Sequence, residues 1–240
     1  KVGIYLLIRF SFDVFGEQEI FEKTEIGYIL VFLSLLAILY GSFAAINEFN
    51  LKKLFAFSSI SQIGFITLGL SLATVSGVTA SLIHVANHAI TKGAVFLMLG
   101  CLTYQLGNLS TNKIEGLGKA KPFLAAGIVV TGLSLIGVPG TAGFISKWEL
   151  VKATIDKGWL WLAVIMLLSS LVTIIYVWKI IELMYFKKLT NKINTQIKIP
   201  LMMSLSTSLL IFACLFFGLF PAPIIEASES AAVYLFETRN

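Results

Sequence analysis

The chain has 240 residues, of which 57% are hydrophobic and only 13% charged, and its mean hydropathy is +0.89. Soluble domains carry charge on about a quarter of their residues, so this composition excludes a water-soluble fold and predicts an all-α integral membrane protein. The net charge of +5 comes from lysines in short loops between apolar segments, where they set orientation in a bilayer and do not mark a nucleic-acid partner.

A helix needs about 20 apolar residues to span ~30 Å of hydrocarbon, and about seven transmembrane segments are expected. The first, Lys1–Phe15, opens on a lysine inside an apolar run without signal-peptide features. It is read as a truncated helix at the start of the C-terminal portion of a longer polypeptide. Ile26–Asn47, Phe55–Val75, Val78–Leu106, Pro122–Ile155, Trp159–Phe186 and Leu201–Phe220 follow, and 221–240 form an acidic tail.

The loops alternate in charge. Asp13, Glu17, Glu19, Glu22 and Glu25 make the first acidic, Lys52 and Lys53 make the second basic, and the third, around Ser76, is uncharged. Lys113, Lys119 and Lys121 mark the fourth, Asp156 and Lys157 the fifth, and Lys187, Lys188, Lys192 and Lys198 the sixth. The positive-inside rule places the basic loops in the cytoplasm, with a bacterial inner membrane as the expected location. Cys101 and Cys214 fall within spans as small apolar residues.

The alternation requires that Pro122–Ile155 cross once. At ~1.5 Å per residue one straight helix there would reach roughly 51 Å, and two helices cut from it would each be too short to span. Its middle, Gly137-Val138-Pro139-Gly140-Thr141-Ala142-Gly143, resolves the conflict, because Pro139 removes a backbone donor while Gly137, Gly140 and Gly143 relax the helix. One broken helix is expected. Its unpaired amides and carbonyls are tolerated at membrane depth only where they are buried in protein or line a hydrated cavity.

Lys1, Lys92 and Lys147 all fall near mid-bilayer, where an unpartnered charge is costly and marks a polar pathway. His84, His88 and Lys92 recur every four residues as one helical stripe, with Asn87 and Thr91 beside it. Ser58, Ser61 and Gln62 cluster on the preceding span. Lysine and histidine can load and release protons, so Lys1, His84, His88, Lys92 and Lys147 are the candidate proton relay. Ser58, Ser61, Gln62, Asn87 and Thr91 are candidates to support a water wire.

A sodium site would want several oxygens and preferably a carboxylate, whereas the acids crowd the loops and ends apart from Glu149 and Glu182. Plainer roles exist: hydrogen-bond glue between helices for the histidines, Asn87 and the serines, snorkelling for Lys179 with Glu182 at i+3, and an interfacial belt for Trp159 and Trp161. The His84/His88 spacing also matches two metal ligands, as in a membrane metalloenzyme, but no HExxH glutamate or third ligand accompanies it. No metal and no cofactor is assigned.

Several of these motifs stand in register. Lys1-Val2-Gly3-Ile4-Tyr5 leads to Arg9-Phe10, and Lys52-Lys53-Leu54 precedes Ser58-Ser59-Ile60-Ser61-Gln62-Ile63-Gly64. The His84 to Lys92 stripe runs on to Phe96 and Gly100, and Gly137-Val138-Pro139 runs through Gly143-Phe144 to Lys147. With them the chain resembles the antiporter-like membrane subunits shared by respiratory complex I and the multisubunit Mrp monovalent cation/proton antiporters. The resemblance implies a fold of fourteen helices in two inverted half-channels, each with a broken helix bearing a key charge. Lys1 then matches the lysine on the eighth helix, and Lys147 the lysine or glutamate on the broken twelfth.

On that footing 1–15 is helix eight, 26–186 is the second half-channel with its broken helix within 122–155, and 201–220 is the final helix. The first half-channel is absent from these residues, so the segment is not expected to conduct alone. Gly140 departs from the many members that carry a second proline there. The run Gly140–Trp148, with its lysine, looks most like the Mrp D-type subunit. This implies a proton-translocating subunit of a Na+/H+ antiporter, with the cation exchanged elsewhere in the complex. The alternative is a proton-pumping M-, N- or L-like subunit of NADH:quinone oxidoreductase or a related hydrogenase. Either way the implied partners are other membrane subunits and the lipid bilayer, and redox chemistry would belong to those partner subunits, since no NADH, flavin or iron–sulfur motif occurs.

Overall fold

The computed structural model describes residues 1–188 and 199–237. Among them ten α-helices follow in order: α1 (Val2–Arg9), α2 (Ile26–Asn47), α3 (Leu51–Ser71), α4 (Val75–Leu106), α5 (Leu117–Ala120), α6 (Pro122–Ile136), α7 (Ala142–Asp156), α8 (Leu160–Tyr185), α9 (Leu201–Leu219) and α10 (Ala222–Glu237). Local chemistry sets the boundaries. The Asn50 side chain accepts from the Lys52 and Lys53 amides to start α3, Thr74 accepts from Gly77 to start α4, and Pro122 opens α6.

Five helices among the described residues are long and apolar enough to cross a membrane: α2, α3, α4, α8 and α9. The chain is thus an all-helical, multi-pass membrane protein, with five clear spans where about seven were expected. Two segments account for the difference. Lys1–Phe15 winds as α1 and then a π-helical turn over Phe10–Val14, and Pro122–Ile155 divides into α6 and α7, of 15 residues each. At ~1.5 Å per residue each half reaches only about 22 Å.

Smaller corrections follow from the caps. The joint between α3 and α4 lies at 72–74, so Ser76 belongs to the first turn of α4 and not to a loop. The acidic tail holds a helix, α10, whose end packs on the first segment through Phe236 and Phe12, ring centroids 5.3 Å apart. Lys192 and Lys198, counted above in the sixth loop, lie outside the described residues.

The loops gather at two ends. Lys179 Nζ donates to the carbonyls of Ile46 at 3.1 Å and Glu48 at 3.4 Å, the Gly116 amide donates to Leu183 at 3.0 Å, and the Leu51 amide to Leu109 at 3.0 Å. These bonds bring together the loops that carry Lys52, Lys119 and Lys187. Lys179 does snorkel toward that basic end, but its ammonium seats on carbonyls instead of on Glu182. At the opposite end Lys157 Nζ donates to the Leu72 carbonyl and the Tyr28 ring lies 6.1 Å from that of Trp159. The α6–α7 pair starts at the first end and finishes at the second, so it traverses the bundle once.

The packing is the reverse of a soluble protein's. Large apolar side chains such as Phe32, Leu168 and Phe212 point outward, while serines, threonines, two histidines and two lysines are buried around α4. That polar interior is the feature to explain, because in lipid each buried polar group needs an internal partner.

Candidate functional site

α6 stops at Gly137, whose φ of +92° suits glycine, and the amides of Gly137 and Val138 both turn back to the Leu133 carbonyl. The carbonyls of Leu135 and Ile136 are thereby left at an open helix end, which carries roughly half a negative charge. Lys147, in the second turn of α7, reaches back into this end. Its Nζ donates to Leu135 O at 2.8 Å, Ile136 O at 2.9 Å and Ser170 Oγ on α8 at 3.2 Å, with the Phe65 ring 5.0 Å away.

The start of α7 is held just as tightly. The Gly143 amide donates to Ser134 Oγ at 3.1 Å, and a Cβ at Gly143 would collide with the Ser134 carbonyl. Gly143 therefore belongs to α7, not to the break, and serves close approach of the two half-helices. From α4, Asn87 Nδ2 donates to the Ala142 carbonyl at 2.7 Å, and Thr91 Oγ1 lies 3.0 Å from Ser134 Oγ. Pro139 and Gly140 occupy the break itself. Gly140 has φ +87°, a backbone that proline cannot adopt, so its departure from the family pattern is built into the path of this loop.

The α4 stripe continues from the break. His84 Nδ1 pairs with Ser146 Oγ at 2.8 Å and its Nε2 with Gln62 Oε1 at 3.1 Å, so the residue next to Lys147 connects directly to the histidines. The His84 and His88 rings stack with centroids 6.1 Å apart, and His88 Nδ1 lies 3.3 Å from Lys1 Nζ. The Lys1 ammonium thus stands at the far end of the line from Lys147. Three buried polar atoms along the stripe have an open bonding position: His88 Nε2, Gln62 Nε2 and Asn87 Oδ1. Such positions are the natural places for water between side chains.

Lys92 forms a separate branch. Its ammonium donates to the Phe55 carbonyl at 2.8 Å and to the Ser58 hydroxyl, both in the first half of α3. Of the expected residues, Lys92 and Ser58 thus pair with each other apart from the histidine line, and Ser61 joins neither group. Ser61 turns away from the line, to Ser42 Oγ on α2 at 2.9 Å, and Ser42 in turn lies 3.4 Å from Ser169 Oγ on α8.

Sequence reasoning missed Ser134, Ser146 and Ser170, which supply the hydroxyls around the break. The adjacency of Ser146 to Lys147 was the available signal. A groove of about 540 Å³ opens between α7 and α8, lined mostly by apolar side chains such as Phe144, Trp148 and Leu171, with Lys147 and Ser170 among the lining. Among the described residues no three His, Cys, Asp or Glu side chains gather as metal ligands, and both nitrogens of His84 are engaged by Ser146 and Gln62.

Residues 1–173 match the family model described as "NADH:quinone oxidoreductase/Mrp antiporter, TM". The chain is 35% identical over 190 residues to NADH-quinone oxidoreductase subunit N of Desulforudis audaxviator, an alignment covering 79% of this chain and 37% of the relative. It spans less than half the length of the curated relatives it matches. Among solved structures it is similar to the membrane-bound sulfane sulfur reductase, an archaeal respiratory membrane complex. Identity there is 28% and the TM-score 0.85, over 99% of this chain and 47% of the other. It also shares the fold of a chain in the Mrp complex from Dietzia sp., with 22% identity and a TM-score of 0.89 over 99% of this chain and 52% of that one.

Proposed function

Because this chain belongs to the NADH:quinone oxidoreductase/Mrp antiporter family of membrane proteins, we propose that it is a proton-translocating subunit of a larger respiratory membrane assembly, of the subunit N type. The observation that carries this reading is Lys147, an ammonium buried at the open carbonyl end of a broken helix and joined through Ser146 to the His84 and His88 stripe. Protons pass between Lys1, His88, His84 and Lys147, with water at the open positions of His88, Gln62 and Asn87. Asn87 and Thr91 hold the two half-helices in place. Lys92 stores a proton on the Ser58 branch. When Lys147 gives up its proton it also loosens its hold on the Leu135 and Ile136 carbonyls, so proton loading and the geometry of the break are coupled.

Seven crossings then comprise the five clear spans, the α1 and π-helical segment, and the α6–α7 pair counted once. Residues 26–186 form the second half-channel, and 201–220 the final helix. In this reading the first half-channel belongs to the rest of the full-length subunit, and redox partners supply the driving energy. The basic loops face the cytoplasm of a bacterial inner membrane. Cysteine labels at Lys119 and Lys188 should react from the cytoplasmic side and one at Lys157 from the other. Labelling of Lys157 and Lys188 from the same side would refute a single crossing by α6–α7.

A second reading, an Mrp D-like subunit of a Na+/H+ antiporter, is favoured by the run Gly140–Trp148. The 35% identity to a subunit N favours the respiratory reading over it. The central test is Lys147→Ala in the full-length subunit within its assembled complex, followed as acidification of inverted vesicles at equal complex content. Translocation should fall roughly 10²-fold or more, the scale at which a positioned proton-transfer group acts. A wild-type rate would make the lysine structural. Vesicle acidification driven by electron transfer supports the respiratory reading, and exchange driven only by a sodium gradient supports the other.

A further inference from the structure

We propose that the Tyr176 hydroxyl is a relay position connecting Lys92 to the basic end of the bundle. The inference rests on the reading of this chain as a proton conduit and adds to it a residue and a direction.

Lys92 sits off the Lys147 branch, with its ammonium on the Phe55 carbonyl and the Ser58 hydroxyl. Both acceptors lie within about the first two turns of α3, close to the end where Lys52 and Lys53 emerge. Against them α8 presents Tyr176, which is 0% exposed and packs in the same apolar cluster as Leu54, Phe55 and Val95. Its hydroxyl neighbours those of Ser58 and Thr173, and it is among the buried polar atoms without a hydrogen bond of full geometry. Phenylalanine would fill this space without a polar cost, whereas a buried phenol normally keeps a hydrogen-bond partner. The hydroxyl is therefore the feature that packing does not explain.

Its neighbours connect it to Lys92 and to α8. Ser58 Oγ accepts from the Lys92 ammonium and donates to the Phe55 carbonyl at 3.0 Å, and Thr173 Oγ1 donates to the Ser169 carbonyl at 3.1 Å. About one turn further along α8 lies Lys179, whose ammonium reaches the Ile46 and Glu48 carbonyls at the α2–α3 corner. Ser58, Tyr176 and Lys179 thus mark successive steps from Lys92 to the basic loops. The phenol need not ionise: the Ser58 hydroxyl turns from the Phe55 carbonyl and passes its proton to the phenol oxygen as it takes one from Lys92, while the phenol's own proton leaves on the Lys179 side, through water where the gap exceeds a hydrogen bond, and the hydroxyls then turn back.

The test uses Tyr176→Phe in the full-length subunit within the assembled complex, read as proton translocation per complex in H₂O and in D₂O. The rate should fall about tenfold or more, and the solvent isotope effect should rise because transfer past Lys92 becomes limiting. A wild-type rate overturns the proposal, and so does a slowed rate with an unchanged isotope effect, which marks a packing role. A high-resolution structure of the wild-type complex gives a check that needs no variant. Ordered water bonded to the Tyr176 hydroxyl is expected, and a dry hydroxyl there overturns the proposal even if Tyr176→Phe fails to assemble. Loss of activity in Lys147→Ala together with normal Tyr176→Phe would remove this branch alone, whereas normal activity in Lys147→Ala would remove the conduit reading itself.

Discussion

Lys92 and Lys147 are both buried ammoniums seated on backbone carbonyls, but the carbonyls differ in kind. Phe55 O lies inside the continuous helix α3, where its own helical donor is in place and the Ser58 and Ser59 hydroxyls add to it, each at 3.0 Å. Leu135 O and Ile136 O lie where α6 has ended and the next two amides have turned back to Leu133. In the unbroken helix the cation shares an acceptor that already has its donors. A broken one has carbonyls that need a donor, so the break itself creates a cation site, with the half-helix dipole adding to its attraction.

This contrast is most exposed to failure in the stability of the two alanine variants. Lys147→Ala removes the donor from the buried Leu135 carbonyl and the part-buried Ile136 carbonyl, at a cost of about 1–3 kcal/mol for each one left unsatisfied. Lys92→Ala leaves the Phe55 carbonyl still bonded, so its cost is mainly lost packing of the lysine stem. Thermal unfolding of the purified complexes should therefore show the larger drop in Tm for Lys147→Ala. The reverse order would mean that the break is stabilised by something other than its lysine.

Geometry alone should reproduce part of this effect. A Cβ at Gly143 would overlap the Ser134 carbonyl, so Gly143→Ala must push α7 away from α6 and carry Lys147 off its acceptors. Overpacking of this kind costs about 1–3 kcal/mol, and translocation should drop several-fold although no titratable group is lost. Gly100→Ala on α4 is the control: its nearest neighbour is Met203 Cε at 3.7 Å, and its rate should match wild type. Equal rates for the two glycine variants would dissociate the break's geometry from function.

The two regions also differ in how far the sequence reveals them. The broken helix is legible because 34 residues from Pro122 to Ile155 are too many for one crossing and too few for two, and Pro139 among glycines marks where the conflict resolves. The stripe of His84, His88 and Lys92 is legible from helical spacing. What the lysines touch is not, because both seat chiefly on backbone carbonyls, which every residue possesses. The serines are equally opaque: a hydroxyl in a membrane helix often bonds the carbonyl three or four residues back, as Ser71 and Thr131 do here. Sequence therefore could not tell that Ser61 faces α2 while Ser134 and Ser146 face the break. Tyr176 escapes notice for a related reason, since a tyrosine in an apolar helix first reads as bulk.

The smallest effect expected is that of Ser170→Ala, and it tests whether carbonyls or the hydroxyl hold Lys147. Ser170 Oγ takes the longest of the three bonds from Lys147, 3.2 Å against 2.8 and 2.9 Å, and donates its own proton to the Met166 carbonyl at 3.2 Å. Met166 O keeps its helical donor when the hydroxyl goes, so no acceptor is orphaned. The ammonium keeps both carbonyls, and water reaching the groove that Ser170 lines can take the vacated place. A single lost hydrogen bond of this kind is worth about 0.5–1.5 kcal/mol, which corresponds to roughly a two- to tenfold change in rate at most. Translocation by Ser170→Ala should thus stay far above that of Lys147→Ala, with little change in Tm. A variant as inactive as Lys147→Ala would show that the hydroxyl, not the open end of α6, positions the proton carrier, and the distinction drawn between the two lysines would fail.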